Sequence, residues 1–349
     1  MFKRPARLSL VSVILWALRI AVVVGVVAGT WATLSQGLFS GGAWLNLFVA
    51  GLSQGAIYAL IALGYTLVYG VLLMINFAHG EVFMLGAFAG MFTANGLAAS
   101  GLLADAPIPA LGIIFVVAMI TSMCLAIVLE RVAYRPLRRA PRLVPLITAI
   151  GASLFLQYTA FGMFSARSRR YPPFELLEGR VDLFGVSLER IQLVTIVACV
   201  VLMLILYYVV ERTRTGRAMR AVSEDKDVAA LMGIDVDRVI VTTFAIGGLL
   251  AGAAGVLYAF LFNRVDFTMG VLPGIKAFTA AVLGGIGNIV GAMLGGILIG
   301  ILENVGPPLL LLGYGVPSVN QLRDVVAFSV LVLVLIFRPT GLLGRRENV

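Results

Sequence analysis

Few side chains in this sequence can do chemistry, and those few stand among apolar residues. There is one histidine, His79, which excludes a His-rich metal site. Cys124 and Cys199 each lie in an apolar run without CxxC or Cys/His spacing, and read as buried free thiols. Asn76, His79 and Glu81 crowd into INFAHGE between two apolar stretches, Lys276 precedes a glycine-rich run, and Glu303 and Asp324 lie near the ends of others. Ionisable groups at membrane depth are costly and usually face a bundle interior or a wet path. Asn76, His79, Glu81 and Lys276 therefore admit two readings: they line a translocation pathway, or they hydrogen-bond broken backbone between helices. No G-x-x-x-x-G-K-[ST] is present to cradle nucleotide phosphates, and neither G-x-S-x-G nor H-E-x-x-H occurs. The stretch GIGNIVG (285–291) has the wrong spacing for a dinucleotide loop, and helix packing accounts better for its glycines. With no catalytic constellation and no metal site, a non-catalytic protein is expected.

The elements that must position these residues are membrane helices. Of 349 residues, 60% are hydrophobic and 12% charged, against about 25% charged in a soluble domain. The net charge of +9 sits in short segments between apolar runs, as the positive-inside rule expects of cytoplasmic loops, so a lipid bilayer and not nucleic acid is the expected partner. A span needs about 20 apolar residues. Candidate spans are 8–34, 43–70, 77–97, 108–129, 143–165, 190–210, 239–262 and 324–337, with 272–304 as a broken helix or two joined segments interrupted by Gly284, Gly285, Gly287 and Asn288. The fold class is an all-α polytopic bundle of eight to ten crossings. The first run follows Lys3, Arg4 and Arg7, which also suits a signal peptide. It is longer than a usual signal sequence, contains Arg19 and lacks a following A-x-A-like site, so a retained helix in an N-terminal extension (1–40) is expected ahead of the main domain (41–349).

Charge sets the orientation. Arg131, Arg135, Arg138, Arg139 and Arg142 form one basic loop, and Arg212, Arg214, Arg217, Arg220 and Lys226 mark a second over 211–238. Two helices separate them, so both fall on the cytoplasmic side. Four helices before the first loop put the N-terminus there too, and a double crossing by 272–304 adds the tail with Arg338, Arg345 and Arg346. The connection 166–189 must then be external although it carries Arg167, Arg169, Arg170 and Arg180. GxxxG spacings at Gly51/Gly55, Gly86/Gly90, Gly248/Gly252, Gly296/Gly300 and the series Gly287, Gly291, Gly295 predict close helix contacts.

The 211–238 loop holds a segment of its own. Ser223 is placed to cap a short helix, with Glu224 and Asp225 in its first turn and Gly233 as a left-handed stop. Val228, Leu231 and Met232 recur at helical spacing, on a helix too short to span the bilayer. Such a segment lies on the lipid surface, docks into a partner, or is a plain solvated loop.

Gly216–Gly233 is similar to the cytoplasmic "EAA-like" loop of ABC importer permeases. More narrowly, GAIYALIALGYTLVYGVLLMINFAHGE (55–81), ERVAYRPLR (130–138), LITAIGASLFLQ (146–157), GRAMRAVSEDKDVAALMGI (216–234), KAFTAAVLGGIGNIVGAMLGG (276–296) and RPTGLLG (338–344) resemble the branched-chain amino acid permeases, in particular the H-type subunits of leucine/isoleucine/valine importers. The resemblance covers the chain from about residue 45 and leaves the first helix outside. It implies a bacterial inner-membrane permease, paired with a second homologous permease, two cytoplasmic ATPase subunits that bind ATP and Mg, and a periplasmic solute-binding protein. It also implies that Gly216, Arg217, Arg220, Glu224, Asp225, Ala229, Leu231 and Gly233 couple the chain to the ATPase. Relatives that import urea, short amides or other amino acids are similar in the same stretches, so the cargo stays open. A secondary transporter or channel working alone is the competing class and would need buried charges near the membrane midplane.

Overall fold

The computed structural model describes residues 10–138, 140–141, 143–183, 186–338 and 340–344. Arg139, Arg142, Lys3, Arg4, Arg7, Arg345 and Arg346 lie outside the described residues. The helices are α1 (Leu10–Ser35), α2 (Gly41–Leu72), α3 (His79–Ala99), the single turn α4 (Leu102–Asp105), α5 (Pro107–Leu129), α6 (Leu143–Phe164), α7 (Arg190–Arg212), α8 (Arg214–Glu224), α9 (Lys226–Leu231), α10 (Val236–Phe262), α11 (Val271–Gly284), α12 (Ile289–Leu311) and α13 (Arg323–Phe337). Among the described residues nine helices are long and apolar enough to cross a membrane, and α11 is a shorter apolar helix of 14 residues. The caps follow the expected chemistry. Ser40 accepts from the Ala43 N–H at 3.3 Å, Pro107 opens α5, and Asn288 accepts from Gly291 N–H at 2.9 Å.

α2 is the central post. Residues 56–63 are almost wholly buried, and its Gly51 and Gly55 face Gly296 and Gly300 of α12. A Cβ on Gly51 would stand 2.8 Å from Ile301 Cα, and one on Gly55 2.8 Å from the Ile297 carbonyl oxygen, so only glycine permits this approach. Gly248 and Gly252 of α10 meet α5 in the same way, with Gly86 of α3 against Gly252. Gly291 and Gly295 pack on Gly284 and Ala280 of α11. Gly287, expected as part of that packed series, lies instead outside the helix at φ +93° with no neighbour within 4 Å of a Cβ position. It serves the α11–α12 turn, which needs positive φ at both Gly285 and Gly287.

The 272–304 region is thus two helices joined by a tight turn. At 1.5 Å per residue α11 is about 21 Å long, short of the roughly 30 Å hydrocarbon core. The non-helical lead-in 263–270 supplies the remaining traverse. Its Val265, Met269 and Gly270 are buried, as irregular backbone at membrane depth must be, while Asn263, Arg264 and Thr268 are exposed. Val265 exchanges backbone hydrogen bonds with Arg169 (2.9 and 2.8 Å), and Gly270 lies against Gly80. The α11–α12 turn is clasped by the C-terminal stretch, with Leu342 N–H donating to Leu283 O at 2.8 Å, Leu343 N–H to Gly284 O at 3.1 Å and the Asn288 amide to Leu343 O at 2.9 Å.

The connection 166–189 contains a hairpin of β1 (Arg180–Leu183) and β2 (Val186–Glu189), antiparallel, with Arg180 opposite Glu189. Of its arginines, Arg169 is absorbed by structure, donating to Phe164 O at 3.0 Å and lying over the Phe92 ring; Arg190, which opens α7, donates back to Leu176 O. α1 packs on α12 and the turn after it. Gly29 lies on the Leu310 backbone, and Thr33 accepts from Gly313 N–H at 2.9 Å. Cys199 is buried, but Cys124 is exposed on the outer face of α5, contrary to its reading as a buried thiol.

Candidate functional site

Two groups of residues gather the polar chemistry, one at the end of the bundle and one inside it. At the end, α7 turns sharply into α8. Thr213 makes the corner: its hydroxyl donates to Val209 O at 2.5 Å and accepts from Gly216 N–H at 3.2 Å. A Cβ on Gly216 would strike the Val210 carbonyl, so the corner requires glycine. Arg220 reaches back to donate to Val210 O at 2.8 Å and to the Glu211 carboxylate at 2.7 Å. Val210 O and Glu211 O, the latter 3.3 Å from the same guanidinium, are open carbonyls of a helix C-terminus, where a cation is favoured. Arg220 therefore holds the corner, while Arg217 is exposed on the same helix.

α9 follows, and its cap is Asp225 rather than Ser223. The Asp225 carboxylate accepts from Asp227 and Val228 N–H at 2.8 and 3.0 Å, whereas Ser223 lies inside α8 and donates back to Arg220 O. Glu224 is accordingly the last residue of α8, not the first turn of α9. α9 ends on Gly233 at φ +81°, with Gly233 N–H on Ala230 O and Ile234 N–H on Ala229 O, the paired bonds of a Schellman stop. Ala229 faces inward at 3% exposure, while Val228, Leu231 and Met232 are 54%, 86% and 78% exposed. A rigid, doubly capped turn thus presents an apolar tip away from the bundle.

The segment 130–138 braces this end. It is a π-helical turn, Glu130–Tyr134, followed by a 3-10 turn, Arg135–Leu137. Arg138 bridges the buried Glu130 and Asp237 at the start of α10, and Arg135 also meets Asp237 at 2.5 Å. Burial, and then the nearby Arg138 guanidinium, hold the Lys226 amine below the usual lysine range.

Inside the bundle, Asn76 accepts from the Tyr134 hydroxyl at 2.6 Å. The His79 ring meets Tyr65 edge-on at 5.0 Å and fills the space beside Gly64, eight residues or about 12 Å before the end of α2. Glu81 accepts from Ser153 at 3.3 Å and lies beside Gly270, with its second carboxylate oxygen unpartnered. All three are at most 3% exposed. They join the α2–α3 break to the π-helical turn after α5, to α6 and to the lead-in of α11.

Lys276 belongs to a separate cluster. Its ammonium donates to Glu303 and pairs with Asp324, both at 2.6 Å, and it sits 5.8 Å from the centre of the Tyr58 ring. Gln54 donates to Glu303 at 3.1 Å and to Tyr58 at 2.6 Å, and accepts from Asn304 at 2.9 Å. Sequence reading missed Gln54, Tyr58 and Asn304. Their only signal is polarity on otherwise apolar helices, and their partners are about 250 positions away. A polytopic helical bundle with a rigid apolar tip at one surface and buried polar clusters within, in which Glu81 and Glu303 each keep an unpartnered carboxylate oxygen, describes a multi-pass membrane protein.

Comparison with known proteins agrees. Residues 47–335 match the family model described as branched-chain amino acid transport system / permease component. The high-affinity branched-chain amino acid transport system permease protein BraD of Pseudomonas aeruginosa is 44% identical over 307 residues, 87% of this chain and 97% of that protein. The protein LivH of Escherichia coli K12, with the same description, is 42% identical over 87% of this chain and 96% of its own length. A probable branched-chain amino acid transport permease protein LivH of Methanocaldococcus jannaschii is 28% identical over 82% of this chain and 88% of its own. The chain belongs to the branched-chain amino acid permease family and is a multi-pass membrane transport component. α1 lies outside the matched region.

Proposed function

We propose that this chain forms half of the membrane pathway of an ATP-driven importer for leucine, isoleucine and valine in a bacterial inner membrane. The observation that carries the reading is the apolar tip Val228, Leu231 and Met232, held by the Thr213 and Asp225 caps and the Gly233 stop. Fully burying a side chain of this size is worth about 1.5–3 kcal/mol, and a lone permease leaves all three open to water. The occupant is an ATPase subunit, one for each of two homologous permeases, with ATP and Mg bound there. Leu231, Met232, Val228 and the exposed Arg217 contact it; Gly216, Arg220, Asp225, Ala229 and Gly233 position them, and Glu224 closes α8 between the two caps. A periplasmic solute-binding protein supplies the cargo on the other side.

The buried charges Lys276 and Glu303 are what a self-contained transporter would also need, and ATP dependence separates the two classes. The chain is co-purified with its neighbours from bacterial membranes and reconstituted in vesicles. Uptake of labelled leucine only with ATP and a bound ATPase is expected. ATP-independent uptake by the lone chain would overturn the reading.

A further inference from the structure

The external connection retains charge that the fold does not consume. A cavity of about 290 Å³ opens between this connection and the end of α10. It lies at the Arg190 end of α7, about 34 Å along that 23-residue helix from the α8 corner and hence at the opposite membrane surface. Tyr171, Phe174 and Leu177, each at most 6% exposed, form its floor with Ile191 and Phe260. Tyr171 is fixed by donating to Ala87 O at 3.1 Å, and its ring packs on Phe260 at 4.6 Å. The rim carries Glu178, Arg180 and Glu189.

Arg180 and Glu189 are direct cross-strand partners in the hairpin, so their Cβ atoms stand about 5 Å apart. Such neighbours ordinarily pair with each other. Among the described residues neither they nor Glu178 form an ion pair. An unpaired cation and two unpaired anions therefore border one apolar floor. A ligand matching that arrangement carries a carboxylate, an ammonium within a few ångströms of it, and an aliphatic tail. The volume is at the small end for ligand pockets, which run from about 300 Å³.

We propose that this cavity is an outer receiving site for a zwitterionic α-amino acid with an aliphatic side chain. Arg180 takes the carboxylate, Glu189 and Glu178 take the ammonium, and the side chain lies on Tyr171, Phe174 and Phe260. The proposal rests on the transport reading above for its choice of cargo. Because the site is open to water, binding is weak and serves to hold released cargo at the mouth, not to set affinity.

The test uses the full chain in lipid nanodiscs with 13C-methyl leucine, followed by NMR. Three probes each lack one feature: isoamylamine has no carboxylate, 4-methylpentanoate no ammonium, and glycine no side chain. Millimolar leucine binding is expected, at least tenfold weaker for each probe. Arg180→Gln should remove the preference for leucine over isoamylamine, and Glu189→Gln with Glu178→Gln the preference over 4-methylpentanoate. Equal binding of leucine and the single-charge probes, or preferences unchanged in these variants, would overturn the site. Uptake in cells is measured in parallel, with leucine supplied freely to spheroplasts or through the soluble periplasmic fraction. Normal ATP-driven uptake with no binding at the cavity sinks this proposal alone, whereas absent amino-acid uptake by the parent sinks the transport reading. A rise in uptake with free leucine that Arg180→Gln abolishes assigns the cargo to the free pool. A loss seen only with the periplasmic fraction assigns it to the binding protein.

Discussion

Replacing Lys276 with methionine tests whether this residue fastens helices or meets cargo. Methionine keeps the length of the side chain and removes the charge. Glu303, with a 4% exposed side chain, then loses its 2.6 Å ammonium partner and keeps one bond from Gln54 at 3.1 Å. Breaking a buried pair by removing one partner costs about 3–5 kcal/mol, because the remaining charge stays desolvated. The double variant Lys276→Met/Glu303→Gln removes the orphaned charge and should recover most of that loss, within about 1 kcal/mol of the parent. Asp324 is 46% exposed, so Asp324→Asn should cost under about 1 kcal/mol. The assay is SDS-induced unfolding of the purified chain in mixed micelles, with uptake measured alongside. A stability order of parent, Asp324→Asn, double variant and Lys276→Met, with Lys276→Met clearly last, fits a clamp. Unchanged stability in Lys276→Met with uptake lost would refute the clamp and return Lys276 to the translocation pathway.

Leu231→Asp should leave folding intact, since the side chain is 86% exposed, and weaken ATPase retention by about 1.5–3 kcal/mol, or ten- to a hundredfold, read by pull-down and uptake. Gly55→Leu should prevent assembly of α2 on α12, because even a Cβ would stand 2.8 Å from backbone; monodisperse protein on size-exclusion chromatography would contradict this. Asn288→Ala loses both the α12 cap and the bond to Leu343 and should lower stability by about 1–2 kcal/mol in the same unfolding assay. Intact-mass measurement of the purified chain should show α1 retained, and a mass lacking the first 35 residues would disprove that.

The apolar runs placed the helices well because lipid demands long uninterrupted stretches, and the ends differ from the structure by only a few residues. Caps were legible where glycine is forced, as at Gly233, and misread where two capping side chains compete. Ser223 and Asp225 stand two residues apart, and only the length of α8 decides between them. The resemblance marks Arg220 as a coupling residue, but a guanidinium on a polar loop gives no sign of its carbonyl partners on the preceding helix. The Gln54 cluster depends on α2 meeting α12 across the whole chain, which no local pattern encodes. The hairpin at 180–189 was hidden by charge, although charge at its rim is what distinguishes it.

α7 is gripped at both ends, and between them Thr195, Cys199, Met203 and Leu206 bury one stripe of it, chiefly against the central post α2. Arg190 N–H extends the hairpin by bonding to Gly179 O, while Arg220 locks the far end to α8. Such a rod links the two membrane surfaces as one stiff piece. Tilting it by 10° about its middle would move each end by about 3 Å for a length of about 34 Å. A push on the α8 corner would thus be felt on the far side of the membrane as a shift of the hairpin that borders the outer cavity, carried by α7 together with the post it lies on.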